Sequence, residues 1–325
     1  MHWIPEILYR FRRLCPEANV DLRMVDHALE PFELLESGQA DVIFASRQNY
    51  SYCNWIPLYR ETMYAILPKD YPLREKEEFP LEEFAGHDFL MPYGNFDNDV
   101  NAALKPVGIK LNAKASKVDD ETVIRIASYA SIAMHWMPEI LYRFRRLYPK
   151  ANVDLRMVDH ALEPFELLKS GQTDVIFASR QKLNYCNWVP LYRETMYAIL
   201  PKDYPLRGRS EFPLEEFADH DFLMPYGNFD SDVNAAIKPV GIKLKAKASK
   251  VDDETVIRMV GRGLGLSMMS ELMIRGRTDD VQCVPVYPPA FRELGMGTHI
   301  RKKETDSIRA LKDCILQFVR ELPKR

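Results

Sequence analysis

The hydrophobic and polar positions follow two patterns in residues 125–325. Short apolar runs such as Asp174 to Ala178 predict buried strands, while apolar residues repeating every three or four positions, as from Ser307 to Leu322, predict amphipathic helices. A longer strand-like stretch, Trp188 to Leu200, lies midway. The β-α-β-α-β order at the start predicts a parallel sheet with helices on both faces. The fold class is therefore α/β, and the long middle strand indicates two hinged lobes.

The individual elements follow from the same patterns. Arg125 to Tyr129 predicts the first strand, and Ser131 is a candidate cap for the helix that follows. The apolar stripe predicted for that helix is Met134, Met137, Leu141, Phe144 and Leu147. Further strands are predicted at 153–158, 222–224, 244–249, 264–269, 282–286 and 297–301, and further helices at 164–168, 230–237, 252–261 and 271–274.

A long internal repeat dominates the chain. Residues 1–125 match 134–258 at a constant offset of 133, with about 16 mismatches in about 125 aligned positions. The repeat unit is far longer than that of a solenoid, and fewer than two full units are present. The sequence therefore predicts a tandem of two related domains rather than a repeat array.

The two copies are unequal. The first, 1–125, lacks a counterpart of the first strand and of the last third, whereas 126–325 reads as a complete two-lobe domain. By analogy with the second copy, Asp119 to Arg125 should be helical, yet Ile126 must begin a strand at once. Because a parallel sheet without its first strand leaves backbone groups unpaired, we expect the first copy to need docking on the second copy or on another chain.

Composition and charge narrow the class of protein. Apolar residues make up 46% of the chain and charged residues 28%, which is globular, and the formal charge of −3 does not favour nucleic-acid binding. No apolar run is long enough to span a bilayer, and the N-terminus has no secretory pattern. The five cysteines are widely spaced, which is typical of free thiols. A cytoplasmic location is expected.

Several motifs, in order, resemble the effector-binding domain of LysR-type transcriptional regulators. They are the first strand and helix from Arg125 to Pro149, the segment from Leu168 to Ile176, and the glycine-rich segment from Gly261 to Ser267. The resemblance covers essentially all of 125–325, and the first copy matches the interior of the same domain. It implies a two-lobed, Rossmann-like fold similar to type 2 periplasmic binding proteins, which closes on a small molecule between its lobes.

The resemblance also implies a function and partners. The family carries an N-terminal winged helix-turn-helix, and Met1 aligns inside the first helix of the effector domain, so we expect no DNA binding by this chain alone. Transcription would then be regulated through a head supplied elsewhere; the alternative is a cytoplasmic solute-binding protein of the same fold. Dimerisation is implied by the family, as a homo-oligomer or as an intrachain pseudo-dimer.

The first candidate ligand position lies where the first strand enters its helix. In doubly wound sheets, ligands bind beyond the carboxyl ends of strands, and Ser131 and Ile132 follow this one. The free N–H groups of a helix N-terminus favour a carboxylate or similar anion. The resemblance places Ser131 where a hydroxyl usually contacts the effector, while a plain capping role stays open.

Two further strand ends supply candidates. Asp159 and His160 follow the second strand, and the resemblance places Asp159 at a cleft position often held by Thr or Ser. An acid there would select an amine or cap the next helix, and His160 is either a ligand contact or structural. Ser179 and Arg180 follow the third strand; Arg180 could clamp an anion bidentately or form a surface or inter-lobe ion pair.

The fourth position is the loop Tyr226, Gly227, Asn228 and Phe229, where the second lobe meets the cleft. Gly227 permits close backbone approach, and Asn228 can both donate and accept hydrogen bonds. Together with Arg180 and the helix N-terminus, these positions favour an anionic or zwitterionic effector.

Enzyme functions are not supported by the motifs. The glycines at 261, 263 and 265 follow a predicted helix rather than a strand, which is the wrong context for a dinucleotide loop. The acidic run Asp252 to Glu254 is ordinary helix-capping chemistry. No histidine pair has zinc spacing and no G-x-S-x-G occurs. We therefore expect no enzymatic activity, no cofactor and no metal.

Overall fold

The computed structural model describes residues 3–25, 29–48, 50–72, 78–84, 100, 103–108, 123–158, 161–225, 231–248, 251–302 and 304–322. The chain divides into two compact units, Met1–Met24 with Val118–Arg325, and Val25–Lys117. Among the described helices, none has the length and apolar character needed to cross a membrane.

The helices and strands alternate along most of the first unit. The helices with both ends in the described part of the chain are α1 Ile4–Leu14, α2 Glu30–Glu36, α3 Ala130–His135, α4 Met137–Leu147, α5 Glu163–Lys169, α6 Ser231–Ile237, α7 Asp253–Gly261, α8 Glu271–Ile274 and α9 Asp306–Glu321. The strands are β1 Val123–Tyr129, β2 Asn152–Val158, β3 Val175–Ser179, β4 Cys186–Pro201, β5 Phe212–Pro213, β6 Asp221–Met224, β7 Lys245–Ala248, β8 Ser267–Ser270, β9 Val281–Tyr287 and β10 Phe291–His299. Short 3₁₀ turns cover Leu81–Phe84, Lys105–Val107 and Leu214–Asp219.

The sheet topology defines two lobes within the first unit. Strand β1 pairs in parallel with β2 and β3, and β10 adds antiparallel to β3. Strand β4 pairs with β10 over Cys186–Thr195 and then with β8 and β9 over Met196–Pro201, so its two ends belong to different lobes. The α/β, two-lobed prediction and the long middle strand are confirmed.

The first lobe has a core between its parallel strands and the helices α3, α4, α5 and α9. The predicted single helix is divided at Trp136, which ends α3 and begins α4. Because this break changes the helical phase, the buried stripe of α4 is Met137, Ile140 and Phe144. Met134 and Leu147, predicted to be on the buried stripe, are exposed; that part of the prediction was wrong.

The second lobe has two apolar clusters on opposite sides of the strands β4, β8 and β9. One of them lies under α7, whose apolar face includes Val256, Ile257 and Val260. The helix begins as the acidic residues predicted, because the Asp252 carboxylate accepts a hydrogen bond of 2.9 Å from the Thr255 backbone N–H.

The secondary structure at the boundary between the two sequence copies differs from the prediction. Val123 to Arg125, expected to be helical by analogy, forms the beginning of β1 and pairs in parallel with Asn152 to Asp154 of β2. The same three residues at Val256 to Arg258 are helical in α7. Pairing with β2 and burial stabilise the strand over the helix that the analogy predicts. Valine and isoleucine allow this because both favour strands.

The second unit, Val25–Lys117, differs from its sequence counterpart. No strand forms among the residues of it that the structure describes, although 42–46 and 53–68 match β3 and β4. Ile66 is 97% exposed, whereas its counterpart Ile199 is fully buried in the second lobe. That the first copy is incomplete and lacks its pairing strand stays a prediction. The domain boundaries 1–125 and 126–325 stay a prediction.

Candidate functional site

The first strand brings Ser131 to the junction between the lobes. The helix α3 begins at Ala130 with Tyr129 as its N-cap, so Ser131 lies inside the helix and is not its cap, which was one of its two sequence alternatives. Instead, Ser131 Oγ accepts a hydrogen bond of 3.1 Å from Arg292 Nη2. The neighbouring Ile132 is fully buried in the first-lobe core. Ser131 is therefore the polar member of this pair that faces the junction.

A buried ion pair lies next to Ser131, between β4 and β10. Arg292 and Glu194 are directly opposite each other in the antiparallel pairing, and Arg292 Nε donates to Glu194 Oε2 at 2.7 Å. The Glu194 side chain is fully buried and Arg292 is 5% exposed. Glu194 Oε1 also accepts a hydrogen bond of 2.8 Å from the Leu272 backbone N–H at the start of α8. The pair thereby ties the two long strands to the first turn of a second-lobe helix.

The end of β3 makes a second polar link across the junction. Ser179 is buried, and its hydroxyl donates a hydrogen bond of 2.6 Å to Asp232 Oδ2 in the first turn of α6, in the second lobe. The same carboxylate oxygen lies 4.0 Å from Arg292 Nε. We call Ser131, Ser179, Glu194, Asp232 and Arg292 the junction cluster.

Arg180 has a different environment from its neighbour. Its guanidinium is 61% exposed and pairs with Glu293 Oε1 at 3.2 Å, on the strand adjacent to β3. Successive side chains of an extended chain point to opposite sides, so Ser179 faces the junction cluster while Arg180 faces solvent. In this structure Arg180 forms the ion pair that was one of its two sequence alternatives.

Six of the predicted site residues lie outside the part of the chain that the structure describes. They are Asp159, His160, Tyr226, Gly227, Asn228 and Phe229. Two of the four candidate positions, at the ends of β1 and β3, are thus placed in the structure, and they meet in the junction cluster.

Sequence reasoning missed Glu194, Asp232 and Arg292. The only signal for Glu194 was a charged residue inside the strand-like stretch Trp188 to Leu200. Arg292 lies before the strand predicted at 297–301, and that boundary was wrong because β10 begins at Phe291 and pairs there with β4. A charge inside a strand is buried only when it has a partner. Which partner it takes depends on strand register, and the sequence alone does not give the register.

The junction cluster contains one guanidinium, two carboxylates and two hydroxyls. Hydroxyls donate and accept, carboxylates accept, and the guanidinium donates. Both signs of charge are therefore present within a few ångströms of each other. Such a set can recognise a polar molecule by hydrogen bonds, and it also lies where relative movement of the lobes would change its contacts.

Two lobes that share the long strand β4 form a fold similar to that of type 2 periplasmic binding proteins. The model of the LysR substrate binding domain family matches residues 1–123 and 117–320. The chain therefore belongs to this family.

Curated relatives agree with that assignment. The uncharacterized HTH-type transcriptional regulator YybE of Bacillus subtilis is 23% identical over 234 residues, which are 69% of this chain and 75% of the relative. The chain spans about half to three quarters of the length of the curated relatives it matches. These relatives are transcriptional regulators, which places the chain among effector-binding domains rather than enzymes.

Solved structures show the same fold. The CcmR regulatory domain of Synechocystis in complex with 2-PG has a TM-score of 0.56 at 17% identity, over 62% of this chain and 99% of that domain. The effector binding domain of QuiR in complex with shikimate has a TM-score of 0.54 at 14% identity, over 62% of this chain and 98% of that domain.

Proposed function

We propose that residues 126–325 bind a small-molecule effector between their two lobes as the sensing part of a LysR-type transcriptional regulator. Family membership and the two-lobed fold support this function, since related domains such as that of QuiR are named for binding effectors. The single observation that carries the proposal is the junction cluster, because its hydrogen bonds connect both lobes to the point where β1 and β3 end.

The chemistry of the junction cluster supports a zwitterionic or anionic effector. Ser131, Ser179 and Arg292 can donate to a carboxylate, and Asp232 can accept from an amine. A ligand entering here would compete with the Ser179–Asp232 hydrogen bond. Because these two residues belong to different lobes, binding would be coupled to the relative position of the lobes. Asp159 and the loop Tyr226 to Phe229 are proposed to complete the contacts.

DNA contact is proposed to come from a winged helix-turn-helix head supplied elsewhere in the assembly. The formal charge of −3 supports DNA contact by a separate head, because nonspecific DNA affinity arises from an excess of positive charge. The protein would then act in the cytoplasm and in an oligomer, as regulators of this family do. A salt-sensitive, sequence-specific complex between this chain alone and DNA in a gel-shift assay would contradict this part.

Thermal unfolding with a panel of small amino acids and organic acids tests effector binding. A ligand that binds only the folded state, at a free concentration of 100 times its Kd, adds about 2.7 kcal/mol of stability. For a domain of this size that raises Tm by roughly 5–10 °C. We expect at least one compound to give a saturable rise.

The repeat provides a matched control for this test. Ser179→Ala removes the hydroxyl from the junction cluster and should weaken binding of the hit about tenfold, since a lost hydrogen bond costs about 1 kcal/mol or more. Ser46→Ala makes the same change at the corresponding position of the first copy and should leave affinity unchanged. Equal loss in both variants, or no stabilising compound in the panel, would argue against a ligand site at the junction cluster.

A further inference from the structure

The three charged side chains of the junction cluster differ in how accessible they are to solvent. The Glu194 side chain is fully buried and the Arg292 side chain is 5% exposed, whereas the Asp232 side chain is 20% exposed. The negative charge of Asp232 is therefore the charge of the cluster that a small molecule entering between the lobes can reach most easily.

The positive charge of Arg292 is already balanced inside the protein. Its Nε and Nη2 atoms both lie 2.7 Å from Glu194 Oε2. Its Nη2 also donates to Ser131 Oγ at 3.1 Å, and its Nη1 donates to Met273 Sδ at 3.6 Å. Because a carboxylate at this distance largely cancels the field of the guanidinium, Arg292 adds hydrogen-bond donors to the site but no net positive charge.

The junction cluster as a whole has a net charge of −1, because it contains one guanidinium and two carboxylates. The exposed Arg180 does not change this balance, since it has its own partner in Glu293 at 3.2 Å. Asp159, which the sequence adds to the site, is a further acid. A partly desolvated site of negative charge favours a ligand that brings a positive charge and disfavours one that is only negative.

The hydrogen bond between Ser179 and Asp232 shows how a zwitterion can enter this site. The Ser179 hydroxyl donates to Asp232 Oδ2 at 2.6 Å. A ligand ammonium has three N–H donors and can replace the hydroxyl at this carboxylate, which leaves the hydroxyl to donate to the ligand's own carboxylate. Ser131 can donate to the same ligand group, because its Oγ is the acceptor in the bond from Arg292. Each polar group then has a partner.

A ligand with a carboxylate but no amine has the opposite effect on the same two residues. It accepts a hydrogen bond from Ser179 only by removing that donor from Asp232. It also places a second negative charge next to the Asp232 carboxylate. Both consequences weaken binding, because a hydrogen bond to a charged group is lost and like charges repel strongly where water is excluded.

We propose that the effector carries an ammonium group beside its carboxylate, as a small amino acid does, and that Asp232 is the residue that recognises the ammonium. This inference rests on the effector function proposed above, and it narrows the ligand from an anionic or zwitterionic molecule to a zwitterionic one. Ser179 positions the Asp232 carboxylate in the structure described and donates to the ligand when the ammonium has taken its place.

Isothermal titration calorimetry of the full-length chain with matched ligands tests the proposal. The ligands are the common amino acids, each compared with the acid that lacks the amine, such as alanine with propionate, leucine with 4-methylpentanoate and glutamate with glutarate. We expect at least one amino acid to bind. Its matched acid should bind about tenfold more weakly or worse, because it lacks the charge-assisted hydrogen bond to Asp232.

Asp232→Asn is the main variant, because asparagine has nearly the same shape without the charge and its side-chain oxygen can still accept from Ser179. The affinity for the amino acid should fall about tenfold or more, whereas the affinity for the matched acid should rise. A merely structural role of Asp232 would change both affinities in the same direction. Asp99→Asn makes the same change at the corresponding position of the first copy and should alter neither affinity.

Asp232→Glu is the second variant, which keeps the test valid if Asp232→Asn does not fold. Glutamate retains the negative charge on a longer side chain, so the amino acid should still bind more tightly than the matched acid even if both affinities fall. A loss of this preference in Asp232→Glu would overturn the proposal.

The remaining outcomes separate this inference from the function on which it rests. An acid without an amine that binds more tightly than its amino acid would overturn the ammonium site, while effector binding between the lobes would stand. Equal losses of affinity for both ligands in Asp232→Asn would have the same meaning. The absence of binding by every amino acid and every acid would overturn both the ammonium site and the proposed function.

Discussion

The ion pair between Arg292 and Glu194 permits a quantitative prediction about the junction of the lobes. Arg292→Ala leaves the Glu194 carboxylate fully buried, with the Leu272 N–H as its remaining described hydrogen-bond donor. Removing one partner of a buried pair typically costs about 3–5 kcal/mol, because the other charge stays desolvated without compensation. The free energy of local opening of β4 and β10 should fall by that amount.

Native-state hydrogen exchange is the appropriate assay, and peptides from β10 report on this pairing alone because β10 has no counterpart in the first copy. Peptides from β4 are informative only when they include Val189, the one position at which β4 differs from 53–68. The control is Arg180→Ala, which breaks the exposed pair with Glu293 and should cost about 0–1 kcal/mol. Arg292→Met combined with Glu194→Leu removes both charges and should cost about 2 kcal/mol less than Arg292→Ala alone. If Arg292→Ala costs no more than Arg180→Ala, the pair is not desolvated as described and the reasoning fails.

Two other predictions concern stability. Ile199→Ala should lower the free energy of unfolding in urea by about 2–5 kcal/mol, because it opens a cavity in the second lobe. The matched variant Ile66→Ala should change that free energy by less than about 0.5 kcal/mol, since Ile66 is exposed. Equal effects of the two substitutions would contradict the difference in burial. Burial tends to raise the pKa of Asp174, but hydrogen bonds from Arg125 and Lys302 outweigh it, and the folded-state pKa is lowered. Its contribution to stability is therefore present above the unfolded pKa of about 3.9 and lost as the pH falls through the folded value. Asp174→Asn should flatten the acid limb of stability against pH in urea titrations, and parallel curves for the two proteins would disprove this.

The strands and helices were largely predictable because each has an uninterrupted pattern. Strand β3 is a short apolar run, and α9 keeps one apolar stripe over four turns, so local periodicity was enough to assign them. The division at Trp136 had a local signal, because Pro138 lies in the first turn of α4 and a proline inside a helical pattern ends or kinks the helix before it. The continuous spacing of apolar residues from Met134 to Leu147 led to the wrong prediction of a single helix. Tertiary packing of Trp136 in the first-lobe core decides the division.

The only part of the candidate site that the sequence predicted consists of residues that directly follow predicted strands. Ser131 and Ser179 follow predicted strands, and the rule that ligands bind beyond strand ends identified both. The register between β10 and β4 brings Arg292 and Glu194 together, although these two residues are 98 positions apart in the sequence. Asp232 reaches Ser179 only through the packing of the lobes. These relations depend on three-dimensional pairing, and no local pattern encodes them.

The segment Val-Ile-Arg has a consequence for how such a chain can arise. It is a strand at Val123–Arg125 and a helix at Val256–Arg258, so its conformation is set by its neighbours. A genetic join that truncates one copy inside this segment does not need to add a linker or restore a lost strand. In the predicted tandem, residues that end a helix in the second copy, Val256–Arg258, correspond to residues that begin the strand β1, Val123–Arg125. Segments of ambiguous conformational preference are therefore permissive joining points for duplicated domains.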